Sequence, residues 1–452
     1  MNTSYFPRWR LVSGTTEDAV VQPDETMPLP QTVAMGAQHV VAMFGSTILA
    51  PLIMGFDPNM AILMSGVGTL IFFLFVGGRV PSYLGSSFAF IGGVVAVSGY
   101  SGSGPNLNIG VALGAIIICG LIYTGIGVLT ALVNAWQGGA ADWIDHWMPP
   151  VVTGAVVAVI GLNLAPLAAK GAMGGSLFES GMALLTILSV GLVAVYTRGL
   201  IQRLLILVGL FSACVIYVIL TNGLGLGKPI DFSAIAAAPW LGLPNITHPV
   251  FESHAISIIA PVAIILVAEN LGHIKAVSAM TGQNLDRYLG RAFMGDGVAT
   301  MISGSFGGTG VTTYAENIGV MTATRIYSTL VFVVAALVAL VLGFSPKFGA
   351  VIHAIPGPVL GGMSVVVFGL IAIAGARIWV VNRVDFSDSR NLIVAAVTLV
   401  LGAGNFSLTL GDLKLDGIGT ATFGAIILHA LLRGRKKRVA AAQPASGLDA
   451  EV

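Results

Sequence analysis

Two carboxylates that could do chemistry stand inside apolar sequence. Glu269 lies in ILVAENLGHIKA (265–276) and Glu316 in GVTTYAENIGVMTATR (310–325). A carboxyl group at the centre of a membrane costs about 2.5–3.5 kcal/mol on insertion scales, so each is a functional candidate by default. His273 follows Glu269 by four residues, which puts both side chains on one helix face. A Glu–His pair in low dielectric has coupled protonation, and its charge responds to a ligand or to pH. A proton-coupled carrier needs that chemistry. The alternative is a buried pair that only fixes helix register; for Glu316 it is a structural carboxyl bonded between helices. A zinc peptidase does not fit, because the order is E-x-x-x-H and not H-E-x-x-H.

The elements that must position these groups are broken ones. Gly307, Gly308, Gly310, Thr312 and Thr313 precede Glu316 and are poor material for a continuous spanning helix. A helix that starts at mid-membrane leaves its first N–H groups unpaired and its positive dipole end pointing inward. Irregular backbone at that depth is tolerated only where it is buried in protein or lines a cavity. Tyr83 to Phe90, YLGSSFAF, has a similar mixture of small, hydroxyl and aromatic residues. The spacing from Gln38 to Tyr83 is 83 − 38 = 45, and from Glu269 to Tyr314 it is 314 − 269 = 45. Short, glycine-broken segments at matching positions in two halves point to a transporter site at the midplane.

His39, next to Gln38, could complete a polar cluster. Asp296, near the start of an apolar stretch, reads as facing a loop and not as a site residue. Carboxylates accept from ring N–H donors, and free backbone N–H groups can donate to ring carbonyls. Phe88 or Tyr314 could pack on a ring face. The set suits a planar, neutral, hydrogen-bonding solute. None of the 21 Lys and Arg residues lies clearly at a segment centre, which argues against an anion exchanger.

Composition sets the class. The 452 residues are 56% hydrophobic and 9% charged, against about 25% charged in soluble domains. With a mean hydropathy of +0.91, the chain reads as an all-α polytopic membrane protein in the lipid bilayer. The apolar stretches are about 31–54, 60–76, 83–98, 108–133, 148–168, 181–197, 203–224, 254–274, 292–305, 313–322, 324–343, 357–376, 391–405 and 417–432. The longest polar connection, 225–253, divides these fourteen into seven and seven. Seven is odd, so the halves (31–224 and 254–433) would insert with opposite orientation. With the N-terminus inside, 17 of the 21 basic residues are cytoplasmic, which places both termini there and makes 225–253 periplasmic. Residues 1–30 read as a polar cytoplasmic tail without a cleavable signal, and 434–452 as a second tail whose basic run at 433–438 fixes topology. Cys119 and Cys214 form no disulfide framework or metal spacing. Nothing calls for a cofactor, and no basic patch suggests nucleic acid.

The chain resembles the nucleobase–ascorbate transporter family over about residues 28–433. The family signature [QEP]-N-x-G-x-x-x-x-T-[RKG] is met by Glu316, Asn317, Gly319, Thr324 and Arg325, and Gln38-His39 and Glu269 with His273 also match. The resemblance implies fourteen segments in two inverted repeats of seven. It implies a core domain from segments 1–4 and 8–11 and a gate domain from 5–7 and 12–14, with pieces of segments 3 and 10 paired as short antiparallel strands. Glu before the signature Asn looks like the uracil branch; the xanthine and urate branch usually has Gln. Carried over by position, Glu269 and Glu316 would bond the pyrimidine ring, Phe88 would pack on it, and Ala315, Tyr314, Asn317 and His39 would line the site. His273, with Glu269, would take part in proton coupling. Ala315 departs from the Gly of the best-understood uracil carrier. The resemblance further implies proton-coupled uracil uptake, with thymine as a further substrate, across a bacterial inner membrane by a homodimer. A xanthine-type purine permease and an uncoupled facilitator or channel are the alternatives.

Overall fold

Breaks in the helices fall where the chain places Gly, Pro or hydroxyl residues. A computed structural model describes residues 4–12, 20–100, 106–137, 146–173, 175–410 and 413–432. The basic run at 433–438 and the tail at 434–452 lie outside them. Helix α1 (Leu29–Met54) starts behind Pro28 and stops at Gly55, whose φ of +76° suits glycine. Helix α2 (Pro58–Phe75) has Pro at its first position and is capped by Asp57, which accepts the Asn59 N–H at 2.8 Å. Strand β1 (Leu84–Ser86) and a 3₁₀ turn (Phe88–Phe90) lead into the short helix α3 (Ile91–Ser98). Then come α4 (Ile109–Gln137), α5 (Pro150–Met173), α6 (Leu177–Tyr196) and α7 (Leu205–Val218).

After the 225–253 connection the pattern resumes. A turn of helix (Ser253–Ile259) precedes α8 (Val262–Thr281), followed by α9 (Leu289–Phe306), strand β2 (Val311–Thr313) and α10 (Ala315–Thr324). The rest are α11 (Thr329–Gly343), α12 (Pro346–His353), α13 (Gly357–Val381), α14 (Ser389–Ala403) and α15 (Gly417–Leu431). Among the described residues eight helices are long and apolar enough to cross a membrane, or nine if α11 and α12, bent by 81°, form one span. Helix α12 had no counterpart among the expected segments: Pro346 starts a new helix where the apolar run ends.

Packing sorts the helices into neighbourhoods. Helix α9 lies against α4 and α2, and α11 lies against α2 and α1. Helix α5 lies against α13, α14 and α15, while α6 lies against α7 and α13. The α5–α13 contact brings backbones together, since a Cβ on Gly161 would sit 2.2 Å from the Phe368 carbonyl oxygen.

The start of the chain departs from the expected polar tail. Val21 and Met27 are buried, and Val21 forms a parallel bridge with Ile326. Backbone pairing and a small apolar cluster with Val331 hold this stretch down, features that its mixed composition hides.

Candidate functional site

The two breaks meet in the interior. Strands β1 and β2 pair antiparallel, with Leu84 opposite Thr313, Gly85 opposite Thr312 and Ser86 opposite Val311. The ladder runs on through Ser87 N–H to Gly310 C=O at 2.9 Å and Tyr314 N–H to Tyr83 C=O at 3.0 Å. All six strand residues are buried. A two-stranded ribbon is marginal alone, and here hydroxyls from neighbouring elements satisfy its outer edges. Thr69 Oγ1 accepts the Leu84 N–H at 2.9 Å, and Thr300 Oγ1 donates to Val311 C=O at 3.0 Å. Thr309 Oγ1 donates to Ser86 Oγ at 2.6 Å. Thr69 and Thr300 thus serve backbone groups that no helix satisfies, while the ribbon's own Thr313 and Ser86 hydroxyls meet His273 and Thr309.

A glycine in β1, and one just before β2, each lies beneath an aromatic ring from the other half. A Cβ on Gly85 would lie 2.4 Å from the Tyr314 ring, and one on Gly310 would lie 2.2 Å from the Phe90 ring. Only glycine permits this approach.

Helix α10 begins directly after β2 with no side-chain cap, so its dipole end faces the break. Glu316 sits in its first turn and accepts a short hydrogen bond from the Ser46 hydroxyl on α1. Ala315 is exposed at the first helical position. Across the break, Ser87 Oγ donates to Glu269 Oε2 at a long 3.5 Å. His273 Nδ1 lies 2.8 Å from Thr313 Oγ1 on β2. Among the described residues no hydrogen bond joins His273 to Glu269. The Phe88 ring meets Phe368 of α13 edge-on, with centroids 6.1 Å apart.

Three other expected site residues are occupied by the protein. The Tyr314 hydroxyl donates to Ser86 C=O at 2.8 Å and accepts from Thr47 Oγ1 at 3.2 Å. Asn317 Nδ2 donates to both Nδ1 and the carbonyl of His39, each at 3.0 Å. That pairing makes His39 Nδ1 an acceptor, so the ring proton sits on Nε2. His39 is fully buried, with Phe332 against its ring at 4.6 Å. The Asn317–His39 pair clamps α10 to α1.

One polar group was misread from sequence. Asp296 is fully buried in α9 and does not face a loop. It accepts from Asn270 Nδ2 at 2.6 Å and from the Tyr123 hydroxyl at 3.4 Å, which ties α9 to α8 and α4. Its partners are 26 and 173 residues away, so no local spacing reveals them. Only the position of Asn270 beside Glu269 hints at the cluster. Among the described residues no group of three or more His, Cys, Asp or Glu could hold a metal. A cavity of about 1060 Å³, lined by Asp57, Tyr100, Asp231, Asn245 and His353 among others, lies where α1 ends and α2 begins and does not include either glutamate.

A strand–helix break of this kind, set among apolar helices, is the framework of a membrane carrier. The sequence model of a permease family matches residues 30–411. The chain belongs to that family, the nucleobase–ascorbate transporters, and is a transporter and not an enzyme. It is 64% identical to "Putative pyrimidine permease RutG" of Escherichia coli K12, over 94% of this chain and 95% of that one. It is 38% identical to a uracil permease of Paenibacillus larvae, over 91% and 96% of the two chains. It is 35% identical to the uracil permease of Escherichia coli K12, over 90% and 93%. Among solved structures, the transmembrane domain of the cyanobacterial bicarbonate transporter BicA superposes with a TM-score of 0.59 at 15% identity, covering 89% of this chain and 97% of that one. SLC26A9 superposes with a TM-score of 0.62 at 13% identity, covering 89% and 65%. At such identities the likeness is of fold alone.

Proposed function

We propose that this chain is a proton-coupled secondary transporter that imports uracil by alternating access. The observation that carries this reading is the pair of glutamates flanking a strand–helix break, Glu316 in the first turn of α10 and Glu269 facing Ser87. Two carboxylates and an uncapped helix start offer acceptors for ring N–H groups and donors for ring carbonyls. The relatives named as pyrimidine or uracil permeases support the substrate class. Glu269, Glu316 and Phe88 would touch the base, with the exposed Ala315 supplying its backbone N–H. Tyr314, Asn317 and His39 would act by positioning α10. Thymine fits the same donor–acceptor pattern.

Coupling is assigned to the face of α8 that carries Glu269 and His273. The His273–Thr313 bond ties that face to β2, so a proton gained or lost there would be felt at the strand that leads to Glu316. Binding would occur from outside between a core of segments 1–4 and 8–11 and a gate of segments 5–7 and 12–14. The separate neighbourhoods of α9 and α5 support that division. The full proposal is fourteen segments in two inverted repeats, in a bacterial inner membrane, with both termini cytoplasmic and gate domains joined in a homodimer.

The test is radiolabelled uracil uptake into proteoliposomes with and without an inward proton gradient. Wild type should accumulate uracil only with the gradient, and Glu316→Gln should lose uptake. His273→Ala should lose accumulation more than binding. Competition by xanthine in place of uracil would support a purine carrier. Uptake that only equilibrates would remove the coupling scheme.

A further inference from the structure

Residues 20–28, with Trp9, are bound at the end of the helix that carries Glu316. Helix α10 is ten residues long, about 15 Å. Its start is fixed by β2 and by the Asn317–His39 clamp. Its other end, at Arg325, turns through a left-handed residue with φ +56° into a short extended link before α11. The N-terminal segment holds that link. Val21 N–H donates to Arg325 C=O at 3.0 Å, and Tyr327 N–H donates to Val21 C=O at 2.8 Å. Thr329 donates to Pro23 C=O through its N–H at 3.2 Å and its hydroxyl at 3.0 Å. Trp9 Nε1 donates to Thr329 Oγ1 at 3.0 Å.

The same segment reaches two further helices. The Tyr5 hydroxyl donates to Leu74 C=O at 2.8 Å, at the end of α2. Arg291 of α9 stacks over the Tyr5 ring at 4.6 Å while its Nε donates to Phe75 C=O at 2.6 Å. Phe6 and Trp9 both stack on Phe73, at 5.7 and 6.1 Å. Between the two passes, Arg10 N–H donates to Asp24 C=O at 3.0 Å and Val12 N–H to Thr26 C=O at 2.9 Å. The ends of α2, α9, α10 and α11 are therefore tied by one strap, and the signature residue Arg325 contributes a backbone carbonyl to it.

We propose that this N-terminal strap is a positioning element of the transport site: it fixes the far end of α10 and so the placement of Glu316. The claim about substrate rests on the function proposed above; the claim about α10 does not. Among the described residues α10 bonds other elements through Glu316 and Asn317 at its start, through Thr322, whose hydroxyl donates to Met280 Sδ at 2.8 Å, and through Arg325 at its end, so releasing Arg325 loosens the far end while the start stays held. At Val21 itself the strap's bonds are backbone ones: a side-chain change leaves both intact, and a proline removes the donor to Arg325 C=O while keeping the acceptor for Tyr327 N–H.

The experiment is amide hydrogen exchange with mass spectrometry on the full chain in lipid nanodiscs, alongside uracil binding. Val21→Pro should raise exchange in peptides covering 317–325 by about five- to tenfold, with α5 and α13 unchanged. It should weaken uracil binding by about the same factor, while Val21→Ala, which keeps the bond to Arg325 but trims the buried cluster with Met27 and Val331, should change both readouts less. If Val21→Pro does not fold, Trp9→Phe keeps an aromatic ring facing Phe73 and removes the donor to Thr329, and should raise the same exchange about two- to threefold. Unchanged α10 exchange in the folded variant would overturn the strap's role. A rise spread equally over α5 and α13 would also overturn it, as general loosening. Raised α10 exchange with wild-type uracil affinity would overturn the link to Glu316. A wild type that binds no uracil would instead remove the substrate reading, and the exchange result would still decide whether the strap holds α10.

Discussion

The two breaks at 83–98 and 310–324 share a scaffold and differ in what they carry. Each is a three-residue strand followed by a short helix, and each has a glycine beneath a ring from the other half. The first break places Phe88 and the Ser87 hydroxyl at its helix start, and has no ionisable group there. The second places Glu316 in its first helical turn and Asn317 on the clamp to α1. The shared parts solve one physical problem, satisfying backbone in an apolar interior. The unshared parts differ in chemistry: one presents an aromatic ring and a hydroxyl, the other a carboxyl group and an amide.

The largest expected effects strike the shared scaffold. Gly85→Ala and Gly310→Ala would each force a methyl to within 2.4 and 2.2 Å of ring carbons. Overpacking of that kind costs about 1–3 kcal/mol, and more where backbone must shift. Both variants should lower the midpoint of thermal unfolding in detergent, and by similar amounts. A large loss at one and none at the other would show that the two breaks are not supported alike.

The next effect separates the breaks. Glu316→Gln exchanges an acceptor oxygen of the proposed site for an amide donor, and leaving a buried partner unpaired costs about 1–3 kcal/mol, or about five- to a hundredfold in affinity. Ser87→Ala removes only a 3.5 Å contact to Glu269 and a 3.3 Å bond to the Ala89 N–H. It should weaken uracil binding less than about tenfold, as for one neutral bond. Equal losses in a binding assay would make the first break as much a ligand element as the second.

This contrast also marks what could be read from sequence. The breaks were legible because Gly307, Gly308, Gly310, Thr312 and Thr313 cannot be ordinary spanning helix. Glu269 and Glu316 were legible because carboxylates in apolar runs are costly. The antiparallel pairing of the strands came from the family resemblance alone, since nothing in YLGSSFAF or GVTTYAEN fixes a register. Asp296 was misread because its stabilising partners, Asn270 and Tyr123, come from other helices. The docking of residues 4–12 and 20–28 was hidden for a related reason. For 20–28 it rests on backbone bonds at Val21 and Pro23, which leave no mark on composition, and for 4–12 on Tyr5, Phe6 and Trp9 meeting residues of α2, α9 and α11 that are distant in the chain. Sequence pattern reports which way a helix face points; it is silent on which distant group meets it.

The smallest expected effect tests the signature itself. Gly319 is exposed on α10, and a Cβ there would meet nothing within 4 Å. Its φ lies outside the left-handed region, so the backbone does not require glycine either. On packing grounds Gly319→Ala should be neutral or should stabilise by about 0.5–1 kcal/mol, the ordinary gain from replacing glycine inside a helix. Gly85 and Gly310 are glycines because the resting structure leaves no room; Gly319 has room to spare. Unfolding and uptake measured together separate the two kinds of constraint. Unchanged uptake in a protein at least as stable as wild type would leave Gly319 without a steric role. Lost uptake in such a protein would mean that the methyl collides with something absent from this arrangement, either the bound base or a gate helix in another stage of the cycle. The second break would then be specialised for motion as well as for charge.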